Sequence, residues 1–148
     1  MISERIENDL KTAMKARDEL RLQVLRMLKS DIRYKKIELG HDLSDDEVIA
    51  VLSTAGKKRK EAVEGYRLGG RQDLADKELV EYDIIKQYLP EQLSEEELIK
   101  LIDKAIAESN ATSVKDFGLV MKAVMSEVRG RADGKVVNAA VKMRLEEK

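Results

Sequence analysis

Residues 115–141 read KDFGLVMKAVMSEVRGRADGKVVNAAV, and this stretch decides the fold. Phe117, Val120, Met121, Val124 and Val128 recur at steps of three and four, the spacing of one apolar stripe on a helix. Gly130 supplies the residue that takes the left-handed conformation a helix end needs. Asp133 then caps a second helix, whose stripe is Val136, Val137, Ala140 and Val141. Arg129, Arg131 and Lys135 crowd the N-terminus of that helix, where free backbone N–H groups and cations together suit a phosphate. Lys122 and Asn138, on the polar faces of the two helices, extend the patch. The competing reading is a tight soluble turn. On that reading, the Asp133 carboxylate takes up N–H groups that a phosphate would want.

The same helical period runs upstream. A first helix spans 3–16, with Ile6, Leu10, Ala13 and Met14 on one face, and Asp18 caps the next. The second carries Leu20, Val24, Leu25, Leu28, Ile32 and Ile37 to a stop at Gly40, and its polar face is rich in cations from Arg21 to Lys36. His41 falls in the loop beyond, the place of an exposed residue rather than a catalyst. Ser44 and Glu47 form a capping box for the third helix, which runs to Gly69-Gly70. Within that helix Arg59 lies on the apolar stripe between Ala55 and Ala62. It therefore needs either a snorkelling stem or a carboxylate from a neighbouring helix. A fourth helix, 73–88, carries Leu79, Tyr82, Ile84, Ile85 and Tyr88. Pro90, the single proline, cannot continue it. A second Ser–Glu pair, Ser94 and Glu97, opens a fifth helix at 95–108. No stretch alternates with a strand period. The expected architecture is all-α, with a four-helix part of helical hairpins at 1–90 and a small three-helix bundle at 91–148.

Composition narrows the function classes. The 148 residues include one His, no Cys and no Trp, and carry a net charge of −1. Without cysteine there is no disulfide, thiolate metal site or cysteine nucleophile. No apolar run approaches the ~18 residues of a membrane span. The N-terminus lacks the basic-then-apolar pattern of a signal peptide, so a cytoplasmic location is expected. Charge is uneven: 14 basic and 11 acidic residues in 1–60, 6 and 13 in 61–110, and 8 and 5 in 111–148. A basic C-terminal segment fits an anionic partner. No phosphate-binding glycine loop or dinucleotide fingerprint is present. The Glu95-Glu96-Glu97 run sits in a helix first turn, where the dipole favours acids. Neither a catalytic residue nor a metal or cofactor site emerges, and the reading leans away from an enzyme.

Two stretches are more specific. Tyr88-Leu89-Pro90-Glu91-Gln92-Leu93-Ser94 and Val128-Arg129-Gly130-Arg131-Ala132-Asp133-Gly134-Lys135 resemble the signatures of the GatB/YqeY family. Met14-Lys15-Ala16, Arg26-Met27-Leu28-Lys29 and Lys57-Lys58-Arg59 are similar in the same order, so the resemblance spans nearly the whole chain. Phe117 stands where the pattern carries methionine, a tolerable swap in a core.

The resemblance implies a free-standing relative of the tail of GatB, the tail that engages transfer RNA in the tRNA-dependent amidotransferase. It thereby implies a tRNA-binding accessory module with no catalytic centre of its own, contacting RNA through Lys122, Arg129, Arg131, Lys135 and Asn138. Structured RNA, foremost tRNA, is the expected partner, with an amidotransferase or aminoacyl-tRNA synthetase beside it and no membrane. The alternatives are a protein–protein adaptor for an amidotransferase, synthetase or ribosome, and a carbon–nitrogen ligase with glutamine as amido donor by family inheritance.

Overall fold

The computed structural model describes residues 1–147. Among them all regular structure is helical: α1 (Ile2–Ala16), α2 (Glu19–Leu39), α3 (Asp45–Leu68), α4 (Gln72–Lys86), α5 (Glu95–Ser109), α6 (Phe117–Val128) and α7 (Gly134–Glu146). A short 3-10 turn, Val114–Asp116, leads into α6. The all-helical class expected from the apolar spacing is thus observed. Contacts divide the chain into a first unit, Met1–Leu89, and a second, Pro90–Lys148.

The helix ends follow from local chemistry. Asp18 caps α2 by accepting from the Arg21 N–H at 3.2 Å. Ser44 and Glu47 form the reciprocal capping box of α3, each side chain accepting the other's backbone N–H. Gly40 closes α2 at φ +76°, a left-handed conformation that costs glycine little.

In the first unit Ile6, Leu10 and Ala13 of α1 pack with Leu25 and Leu28 of α2, Val48 and Leu52 of α3, and Ile85 of α4. At Gly56 α3 faces α4, and a Cβ there would touch the Tyr82 ring at 3.4 Å, an ordinary van der Waals contact. Val63, Ala75 and Tyr82 are buried outside that main cluster, along the α3–α4 hairpin. Arg59 finds the carboxylates its position calls for, with Glu81 at 3.1 Å and Glu78 at 3.5 Å. Tyr88 closes the end of the unit by donating to the Asp9 carboxylate. Arg5 lies over its ring, 5.3 Å from the centroid, and Arg21 donates to the Gln87 side chain at 3.0 Å. Burial first, and then the Asp9 carboxylate, push the Tyr88 phenol up to about 12.

Some stripe residues do not reach the core. Ile37 is 67% exposed. The reason is length: α2 has 21 residues and α1 only 15, so the C-terminal end of α2 overhangs its hairpin partner by about 9 Å. Met14, Leu79 and Val136, also expected to face inward, are exposed. They sit at the margins of their stripes, where a helix face turns away from its neighbours.

In the second unit Leu98, Ile102 and Ile106 of α5 meet Val120, Val124 and Val128 of α6 and Val137, Val141 and Leu145 of α7. Phe117 and Met121 pack against this cluster. Arg144 of α7 grips Asp103 of α5 with two parallel bonds, at 2.9 and 2.8 Å.

Candidate functional site

The α6–α7 turn is built as its sequence implies. Gly130 takes φ +70°, and the Arg131 N–H donates to the Val128 carbonyl at 2.8 Å. Asp133 caps α7 by accepting from the Lys135 N–H at 2.9 Å. The structure then adds a contact between elements far apart in sequence. The segment 90–93 lies along the turn: the Gln92 side-chain amide donates to the Gly130 carbonyl at 2.6 Å and to the Pro90 carbonyl at 3.1 Å. The Leu93 N–H donates to the Arg131 carbonyl at 2.8 Å. The two stretches that carry the family signature therefore clasp one another.

This clasp changes the role of Arg131. Its Nε donates to the Glu91 carbonyl at 3.3 Å, so its guanidinium is engaged in holding the 90–93 segment. Asp133 likewise occupies the Lys135 N–H at the start of α7. Lys122, Arg129, Lys135 and Asn138 are exposed. Lys122 lies on the exposed face of α6 and Arg129 just beyond its C-terminal end, while Lys135 and Asn138, three apart, share one face of α7. Arg129 and Lys135 also take part in interactions within the chain. Thus the five expected contact residues divide: Arg131 locks the turn, Lys122, Lys135 and Asn138 lie on outer helix faces, and Arg129 is exposed at the end of α6.

The first unit carries a feature the sequence did not disclose. A groove of about 300 Å³ opens between α2 and α3. Its α2 wall comes from Asp31, Tyr34, Lys35 and Glu38, and its α3 wall is built mostly of small side chains, including Ala50, Val51 and Ala55. Tyr34 is 74% exposed beside it. The one available signal was an aromatic residue on the otherwise cationic polar face of the second helix.

Among the described residues no group of three or more His, Cys, Asp or Glu could hold a metal ion. No helix among them is long and apolar enough to cross a membrane.

The family model for YqeY-like proteins matches residues 3–145. Similar proteins include the altered inheritance of mitochondria protein 41, mitochondrial, of Lachancea thermotolerans, 38% identical over 85 residues. That match covers 57% of this chain and 46% of the relative, so the chain spans about half the relative's length. The protein of the same name from Pyrenophora tritici-repentis is 27% identical over 130 residues, 86% of this chain and 71% of the relative. In Saccharomyces cerevisiae the like-named protein is 30% identical over 125 residues, 83% and 68% of the two chains.

These names correct two expectations. The tRNA-binding accessory module, with its translation-linked alternatives (an adaptor for an amidotransferase, synthetase or ribosome, and a glutamine-dependent ligase), gives way, because the relatives are named for the inheritance of mitochondria. The cytoplasmic location gives way too, because those relatives are named as mitochondrial. With the signature clasped in the second unit and the model matching from residue 3 to residue 145, the chain belongs to the YqeY-like family.

Proposed function

We propose that this YqeY-like protein is a non-catalytic docking protein whose α2–α3 groove receives an amphipathic helix of a protein partner. The groove is the observation that carries this reading. Its walls are two helix faces with contact residues at steps of three, four and seven, such as Asp31, Tyr34, Lys35 and Glu38. That is the spacing a third helix laid between them would meet. Its apolar side chains come from α3 and most of its charged ones from α2, a mixture that suits a protein interface. The small side chains Ala50 and Ala55 leave room for close backbone approach.

A photoreactive amino acid at Thr54, on the α3 wall, tests the reading in the intact protein, with the same group at Ser126 of α6 as reference. A discrete adduct formed only from position 54, mapping to one helical segment of another protein, is the expected result. Equal adducts from both positions would refute it.

We also propose that the two units are separate domains, four helical-hairpin elements in 1–90 and a three-helix bundle in 91–148. Expression of each part alone should give a cooperatively unfolding protein, measured by circular dichroism. A second reading rests on the exposure of Lys122, Arg129, Lys135 and Asn138 along α6, its end and α7. They would give the second unit a cationic surface for an anionic partner, which would dissociate as salt rises.

A further inference from the structure

Arg59 of α3 faces two carboxylates one helical turn apart on α4. Its Nε is 3.1 Å from a Glu81 oxygen and 3.5 Å from a Glu78 oxygen. The side chains of the three are 21%, 13% and 19% exposed, so the group is largely withdrawn from water. Distance alone does not satisfy it. The Arg59 Nε and the Glu78 Oε2 are both buried without a hydrogen-bond partner. One guanidinium therefore confronts two carboxylates, and the pair would carry an excess negative charge if both were ionised.

Other charges nearby do not remove the imbalance. On α4, Lys77 acts on Glu81 at longer range. Lys60 of α3 is committed to the face of the Tyr82 ring, 4.9 Å from its centroid. From α2 the group that reaches the cluster is the Met27 thioether, against the Arg59 guanidinium. A single proton would solve both problems. It would give the carboxyl pair an O–H donor for the oxygen left without one, and it would bring the charge of the cluster to zero.

We propose that Glu81 keeps its proton in the folded protein, directed at the Glu78 oxygen left without a partner, and that its release to water as pH rises loosens the α3–α4 hairpin. Burial, and next the Glu78 carboxylate, push the Glu81 carboxyl above its ordinary value of 4.5, against the opposing pull of Arg59 and Lys77. For a group raised in this way the fold favours the neutral form. The stability it contributes is complete below the ordinary carboxyl range and is lost as pH rises through the folded value. The hairpin is a sensitive place for such a loss. Along it Val63, Ala75 and Tyr82 are buried apart from the main core of the unit.

The test compares the full chain with its Glu81→Gln variant, which fixes the neutral state without changing shape. Thermal unfolding is followed from about pH 5 to about pH 8. The midpoint of the wild-type chain should fall below that of the variant progressively as pH rises. Amide exchange in α3 and α4, corrected for its intrinsic pH dependence, should quicken in the wild type and stay level in the variant. Carbon-detected NMR of the wild type should show the Glu81 carboxyl titrating above the ordinary range. Parallel midpoint profiles for the two proteins would overturn the proposal. So would a Glu81 carboxyl that titrates in the ordinary range.

Discussion

The two units each set an arginine against carboxylates, and they do so under different constraints. In the second unit the Arg144 fork meets Asp103 with two well-formed bonds, yet the pair is open to solvent, its side chains 32% and 45% exposed. In the first unit Arg59 is largely covered and faces two acids, but its Nε and one Glu78 oxygen lack hydrogen bonds. Good geometry therefore accompanies exposure, and poor geometry accompanies burial. Exposed pairs gain little from their attraction, because water screens it and would solvate the separated charges as well. Covered charges have no such alternative, so removing one partner strands the others. The prominent pair should matter less than the awkward one.

Arg59→Ala makes the strongest test of that contrast. It leaves Glu78 and Glu81 facing one another with no cation, and the expected loss is about 3 kcal/mol, as for a broken buried pair. Denaturant unfolding near neutral pH would measure it. Adding Glu78→Gln and Glu81→Gln to this variant should recover a large part of the loss, since the stranded charges are then gone. A loss that persists in the triple variant would show that the Arg59 stem, not its charge, holds the hairpin.

Tyr88 extends the comparison to a neutral donor in the first unit. Its hydroxyl serves the Asp9 carboxylate beneath Arg5, so Tyr88→Phe removes a charge-assisted bond and should cost about 2 kcal/mol. The phenol is pushed up from 10.0 to about 12, which means the fold favours the protonated form. Its contribution is complete below pH 10 and is lost as pH rises through about 12. Titration by ultraviolet absorbance should show this late ionisation in the wild type, and Tyr88→Phe should abolish it.

The second unit has its own inward clamp in Gln92. Gln92→Ala would free the Gly130 and Pro90 carbonyls that its amide now serves. About 1 kcal/mol is expected, because a carbonyl near the surface can turn to water. If 91–148 is a separate domain, only the unfolding transition of the second unit should move.

The sequence made some of this legible and hid the rest for physical reasons. Helices and caps are local, so the apolar spacing and Asp18, Ser44 and Asp133 could be read directly, and each cap accepts its expected N–H. The need of Arg59 for a carboxylate followed from its place between Ala55 and Ala62. Which acids supply it depends on the register of α4 against α3, which no local pattern states. Ile37 illustrates a different limit: the apolar period continues past the point where the neighbouring helix ends. Arg131 illustrates another. Residue type and spacing give a cation beside a helix start, but whether it meets an anion or a backbone carbonyl depends on a segment 40 residues away. The α2–α3 groove depends on how two helix faces are set against each other, and no single residue encodes that.

Arg144→Ala closes the contrast at its weakest end. The variant removes both bonds to Asp103 and the bond to Glu147. Asp103 holds the Arg144 guanidinium firmly in its charged form, but a guanidinium is charged at any ordinary pH, so this adds no pH dependence to stability. What remains is an exposed attraction that salt weakens. The unfolding midpoint should move far less than in Arg59→Ala, and the difference between wild type and variant should shrink further in high salt. A shift equal to that of Arg59→Ala and insensitive to salt would mean that fork geometry outweighs burial. The contrast between the two units would then have to be reversed.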